Sequence, residues 1–151
     1  TNLTLLFAEK LHRNKIDICL NRIPFEYRFE EERANEIIDI HAKLNGLVGD
    51  TIKAWGGGNS FNRESFCSKY LHFHKPNAFP ILDRFSRVAM QKTFPNFHVD
   101  QSNARTVYNR FCRLLLEYIS QAPACLGWTP RSLDVILVPA GRNEEALPLK
   151  R

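Results

Sequence analysis

Asp83 heads the stretch Asp83-Arg84-Phe85-Ser86-Arg87-Val88-Ala89, and a carboxylate in that place serves two chemistries. It can stabilise positive charge that develops on a substrate and orient or deprotonate water. It can also cap the helix that follows, because aspartate before an amphipathic run accepts from backbone N–H groups that lack a helical partner. Lys69 lies three residues after Phe66 and four before Phe73, which sets its stem on an apolar helical face. If it is desolvated, such a lysine loses proton affinity and becomes an amine nucleophile; if it snorkels, its head stays in water or pairs with a carboxylate. His72 and His74 sit two residues apart, about 200° around a helix, and cannot share one ion, so no metal is expected.

The run Gly56-Gly57-Gly58-Asn59-Ser60 leads directly into the helical segment that carries Lys69. Its backbone N–H groups can cradle a phosphate, and a glycine run is equally a plain breaker between helices. Lys53, Arg63, Lys75, Arg84, Arg87 and Lys92 make this the most densely basic part of a chain whose formal net charge is +5. Such a patch suits phosphates, although solvated helix faces account for basic residues as well. Phe61, Phe66, Tyr70, Phe73, Phe79 and Phe85 crowd the same region; most belong to a core, and one can stack on an extruded base. Cys19, Cys67, Cys112 and Cys125 are scattered without a paired motif, which reads as reduced core thiols and excludes an iron–sulfur cluster.

The elements that position these residues are helices. At 151 residues, with 44% hydrophobic and 25% charged side chains, the chain has the composition of one globular domain. Apolar residues recur at helical spacing almost throughout, and no strictly alternating run bounded by hairpin turns occurs. The expectation is an all-α fold, a compact multi-helix orthogonal bundle over residues 1–140, followed by a polar, frayed tail over 141–151. The first helix opens at Leu3, Leu6, Phe7 and Leu11 and reaches Cys19 or Leu20 before Ile23-Pro24. A second spans about Glu30 to Leu44 and stops at Gly46 and Gly49, and Asp50 then caps a short helix through Trp55.

A fourth helix runs over about 61–74, and a fifth from Asp83 to before Pro95 with Phe85, Val88, Ala89 and Met90 on its apolar side. The sixth, about Gln101 to Ser120, reads as the central core helix, and Thr129-Pro130 opens a short one to about 137. No run reaches the ~18 apolar residues of a membrane span, and Thr1 to Phe7 lack the basic lead of a secretory signal. A cytoplasmic chain with no membrane partner is expected.

The order Lys75-Pro76, a short bend, Pro80-Ile81-Leu82-Asp83 and then Arg87-Val88-Ala89 resembles the catalytic core of the helix-hairpin-helix DNA glycosylase superfamily. The pattern Ser68-Lys69-Tyr70-Leu71-His72-Phe73-His74, with Phe79-Pro80-Ile81, Asp83 and a later Arg131-Ser132-Leu133-Asp134, is also similar to bacterial proteins of unassigned function. The first resemblance implies a DNA-binding protein that hydrolyses the N-glycosidic bond of a damaged or modified base without a cofactor. Asp83 would be the essential carboxylate, whereas Lys69 lies almost two turns past the family's lysine position and is a candidate amine from its own placement alone. Gly57, Gly58, Asn59, Ser60, Arg63, Lys75, Arg84 and Arg87 would hold DNA. Asn62 or Arg63 stands where bifunctional members carry their lysine, which favours a water nucleophile over a Schiff base. The alternative is a non-catalytic helical module whose basic face holds nucleic acid or a protein partner.

Overall fold

The computed structural model describes residues 3–13, 16–56, 63–97, 104–121 and 128–148, and every regular element among them is helical. Helices α1 (Leu3–Arg13) and α2 (Ile16–Arg22) lead through a 3-10 turn (Glu31–Arg33) into the long α3 (Ala34–Trp55). Then follow α4 (Arg63–His74), α5 (Arg84–Thr93), α6 (Ala104–Gln121) and α7 (Pro130–Arg142). The all-α expectation holds. Among the described residues no helix is long and apolar enough to cross a membrane.

The glycines of α3 do not break it, contrary to the two-helix expectation. Gly46 is exposed with nothing near the position of a Cβ, so the helix merely tolerates it there. Gly49 is buried beneath Arg63, whose guanidinium would lie 2.0 Å from a Cβ built at that position. The glycine therefore makes room for the end of the Arg63 side chain. The stop comes at Gly56, which takes the left-handed conformation (φ 87°) and returns its N–H to the carbonyls of Ile52 and Lys53. Because buried residues occur nearly all round α3, it is this helix that packs against α1, α2, α4, α6 and the 3-10 turn. The expectation that α6 is central is corrected: α6 buries one stripe, Val107, Tyr108, Phe111, Cys112, Leu115 and Tyr118.

The starts of α5 and α7 are set by reciprocal caps. The Asp83 carboxylate accepts from Ser86 N–H while Asp83 N–H donates to Ser86 Oγ, and Thr129 and Ser132 repeat the arrangement ahead of Pro130. Helix α7 continues past the expected end at 137 to Arg142 with Pro139 inside it. Val135 and Pro139 share an exposed face, so the carbonyl that proline leaves without a helical donor is open to solvent. On the opposite side Gly141 crosses the first turn of α5, where an added Cβ would lie 1.9 Å from the Phe85 carbonyl oxygen.

The segment after α7 is docked, where the sequence suggested fraying. Leu147 is 2% exposed, its N–H donates to Thr93 Oγ1, and Tyr118 donates its hydroxyl proton to the Pro148 carbonyl. Cys67 and Cys112 are buried free thiols, Cys19 is half-buried, and Cys125 lies outside the described residues. Burial pushes the Cys67 thiol up to about 12, which suits packing rather than reactivity.

Candidate functional site

The segment between α4 and α5 is tied to α4 by side chains that the sequence supplies one turn apart. Ser68 Oγ accepts from Leu82 N–H, and His72 Nδ1–H donates to the Phe79 carbonyl at 2.8 Å. Ala78, Phe79, Pro80 and Leu82 are buried, and Tyr108 on α6 donates its hydroxyl proton to the Pro80 carbonyl. The Lys75-Pro76-Asn77 turn is held in turn by Phe29 N–H donating to the Asn77 carbonyl. These bonds fix where the segment ends, which is where Asp83 begins α5.

Asp83 is half-buried, and its Oδ1 is engaged by Ser86 N–H at 2.9 Å. Its second carboxylate oxygen has no hydrogen bond among the described residues. Across from it stands Asp134, in the second turn of α7. Burial pushes the Asp134 carboxyl up, the negative charge of Asp83 adds to this, and the charges of His72 and Lys69 draw it back. Four titratable groups from α4, the head of α5 and α7 thus lie within electrostatic reach of one another. Asp134 Oδ1 is buried without a partner among the described residues, so the cluster contains an unused acceptor. The Nδ1–H bond of His72 to the Phe79 carbonyl fixes the orientation of its ring.

Lys69 is exposed and enters no ion pair among the described residues, so of its two readings the desolvated amine does not fit and the snorkelling side chain does. Its charge nevertheless reaches Asp134. Arg84 on α5 and Arg131, one turn before Asp134 on α7, are also exposed. Lys69, Arg84 and Arg131 are thus exposed cations on the three helices that carry these groups, a basic rim of which Lys69 is the member whose charge reaches Asp134.

Other residues expected to touch DNA are placed differently. Arg87 forms a hydrogen-bonded ion pair with Glu64 of α4, their side chains 14% and 12% exposed, so its guanidinium braces α5 against α4. Arg63 lies over the Gly49 backbone of α3. Lys75 is half-buried in its turn. Gly57, Gly58, Asn59 and Ser60 lie outside the described residues.

Sequence reasoning did not assign Asp134 a role, although the Arg131-Ser132-Leu133-Asp134 segment was visible. The available signal was a carboxylate between Leu133 and Leu137, both buried, on an otherwise apolar helix side. Among the described residues no group of three or more His, Cys, Asp and Glu side chains is arranged to hold a metal ion.

Behind the site the same helices enclose a second polar group. His41 of α3 is fully buried, stacks on Tyr108 at 3.7 Å between ring centroids, and donates Nε2–H to the Glu64 carbonyl at 3.3 Å. Its Nδ1 has no partner among the described residues, and burial holds the imidazole down to about 4. Comparison of the chain with protein-family models, with curated proteins and with solved structures finds no match.

Proposed function

We propose that the protein binds duplex DNA and hydrolyses the N-glycosidic bond of a damaged or modified base, with the carboxylates of Asp83 and Asp134 at the reacting centre. The observation that carries this reading is that the charges of Asp83, Lys69 and His72 all reach the half-buried carboxyl of Asp134, on helices that also carry the exposed cations Arg84 and Arg131. Loss of a base leaves positive charge on the sugar, and a carboxylate fixed beside the anomeric carbon stabilises it. The cap holds Asp83 rigidly by one oxygen and leaves the other for this task.

In the reaction a water oxygen bonds to the anomeric carbon as the carbon–nitrogen bond breaks. Asp83 takes the proton of the attacking water. Asp134, whose proton affinity burial and the neighbouring charge have raised, returns a proton to the departing base. A carboxyl whose proton affinity its surroundings raise is the usual source of a general acid beside a second carboxylate. Lys69 stays a counter-charge, since an exposed ammonium is a poor nucleophile. Arg84 and Arg131 contact phosphates.

The test is base release from a panel of modified duplexes, read as alkali-labile sites in single-turnover reactions. Asp83→Asn retains a good helix cap, so stability should change by under ~1 kcal/mol while base release disappears. Borohydride should trap no covalent adduct. Full turnover by Asp83→Asn would overturn the assignment. The reciprocal cap by itself accounts for an aspartate at position 83, which favours a second reading in which the same rim holds nucleic acid or a protein partner without turnover. Under that reading binding persists in Asp83→Asn, and no duplex of the panel is cleaved by either protein.

A further inference from the structure

We propose that the cleft between α1 and α3 binds a phosphate monoester that also carries hydroxyl groups, a ligand of sugar-phosphate size. The cleft has a volume of about 440 Å³, within the range of small-molecule sites. Its chemistry comes from Lys10 and Arg13 of α1 and from Lys43, Gly46 and Asp50 of α3. The inference stands apart from the preceding reading, whose carboxylates lie at the head of α5 and on α7.

Helical spacing is what gathers these groups. Lys10 and Arg13 are three residues apart and share a face of α1, whereas Lys43, Gly46 and Asp50, separated by three and four residues, form one line along α3. That line is about 10 Å long at 1.5 Å per residue, with a cation at one end, a carboxylate at the other and bare backbone between. Three cations outnumber Asp50 in the lining, and they still prevail when Glu9 beside Arg13 is counted. The Arg13–Glu9 pair is exposed and occupies one guanidinium nitrogen, so other N–H donors of Arg13 stay open to a ligand.

A surplus of cations from two helices suits the compact charge of about −2 that a phosphate monoester carries at neutral pH. Asp50 sets the second requirement. An ionised carboxylate only accepts hydrogen bonds, so the part of the ligand beside it must donate, as sugar hydroxyls do. The backbone of duplex DNA meets neither condition, since its phosphodiesters carry one charge each and its sugars have no free hydroxyl.

Gly46 supports the site independently of charge. It is exposed within a 22-residue helix, its φ is not positive, and a Cβ there would meet nothing within 4 Å. Neither backbone conformation nor packing calls for glycine at this position, and glycine weakens a helix interior relative to alanine. The missing side chain gives the cleft its depth and lets a ligand reach the α3 backbone.

The experiment titrates the full chain at low salt with ribose 5-phosphate, inorganic phosphate and ribose, followed by calorimetry. Wild type should bind ribose 5-phosphate more tightly than either of the other two. Gly46→Leu, which fills the cleft at a position where the helix gains from leucine, should abolish that binding with an unfolding midpoint no lower than wild type. Lys43→Gln should weaken it roughly 10-fold. Asp50→Ala should weaken ribose 5-phosphate and leave inorganic phosphate bound at least as well. Base release should be unchanged in all three variants, so the two readings fail separately. Wild type that does not bind ribose 5-phosphate, or binding that Gly46→Leu retains, overturns the proposal. Equal affinity for ribose 5-phosphate and inorganic phosphate would mark an adventitious ion only and overturn it too. Short duplex DNA that binds wild type in place of ribose 5-phosphate, and is lost in Gly46→Leu, would assign the cleft to a nucleic-acid backbone and likewise overturn it.

Discussion

Lowering the pH should destabilise this protein in a window set by His41. The imidazole is fully buried, and its neutral tautomer is fixed because Nε2–H must donate to the Glu64 carbonyl. An incoming proton would go to Nδ1, which finds no acceptor, on a ring stacked against Tyr108. The folded state therefore resists protonation down to about 4, against 6.5 for the exposed side chain. Above pH 6.5 both states are neutral and the histidine imposes no pH dependence. As the pH falls from 6.5 to 4 the unfolded chain takes up a proton that the fold refuses, so stability drops, and below 4 the loss is complete. The difference of 2.5 units corresponds to a loss of about 3 kcal/mol, at about 1.4 kcal/mol per pH unit. Urea unfolding at intervals from pH 7 to 4 measures it. His41→Phe provides the reference, because it keeps an aromatic ring against Tyr108 and cannot titrate. The variant is expected to be less stable at pH 7, where Glu64 loses its donor, yet to decline less steeply with acid. Subtracting the two curves removes the contribution of Asp134, whose raised affinity favours the fold at lower pH and so acts with the opposite sign. Parallel curves for the two proteins across this window would refute the reasoning.

Three further expectations concern packing, and all are read as shifts in unfolding midpoints. Gly141→Ala should destabilise by about 1–3 kcal/mol because its Cβ meets the Phe85 backbone, whereas Gly46→Ala, with open space around it, should stabilise by roughly 0.5–1 kcal/mol. Arg87→Met or Glu64→Gln alone should cost about 3–5 kcal/mol by leaving a largely buried charge unpaired, and the double replacement by similarly sized apolar residues should recover much of that loss. Leu147→Ala should cost about 2–4 kcal/mol, which a frayed tail would not show.

The parts of the fold legible in the sequence are those decided by neighbours along the chain. Asp83 with Ser86 and Thr129 with Ser132 and Pro130 mark the starts of α5 and α7 because a cap is a contact across three residues. Gly46 and Gly49 misled because the cost of glycine in a helix is small beside the burial available to α3 on nearly every side. What holds Gly49 is Arg63, a partner from another helix that no local pattern announces. Helix α7 outruns its expected end near 137 for a related reason: a helix tolerates a proline such as Pro139 on an exposed face when its other face is held elsewhere, here at Gly141 against α5.

The candidate site divides along the same line. Arg84 and Arg87 are three residues apart on α5 and looked interchangeable as phosphate contacts. The phase that buries Ser86, Ala89 and Met90 sends Arg84 to the rim and Arg87 toward Glu64, leaving Phe85 and Val88 only half-buried. That phase follows from the cap at Asp83, which was visible, but the consequence for Arg87 depends on where Glu64 stands, which was not. Asp134 escaped assignment because its significance lies in its electrostatic coupling to Asp83, and that coupling arises from the packing of α7 on α5, a contact between elements some fifty residues apart that no local pattern announces. Gly141, which meets the Phe85 backbone, is part of the same packing, so a substitution there should disturb the helix pair that carries both carboxylates.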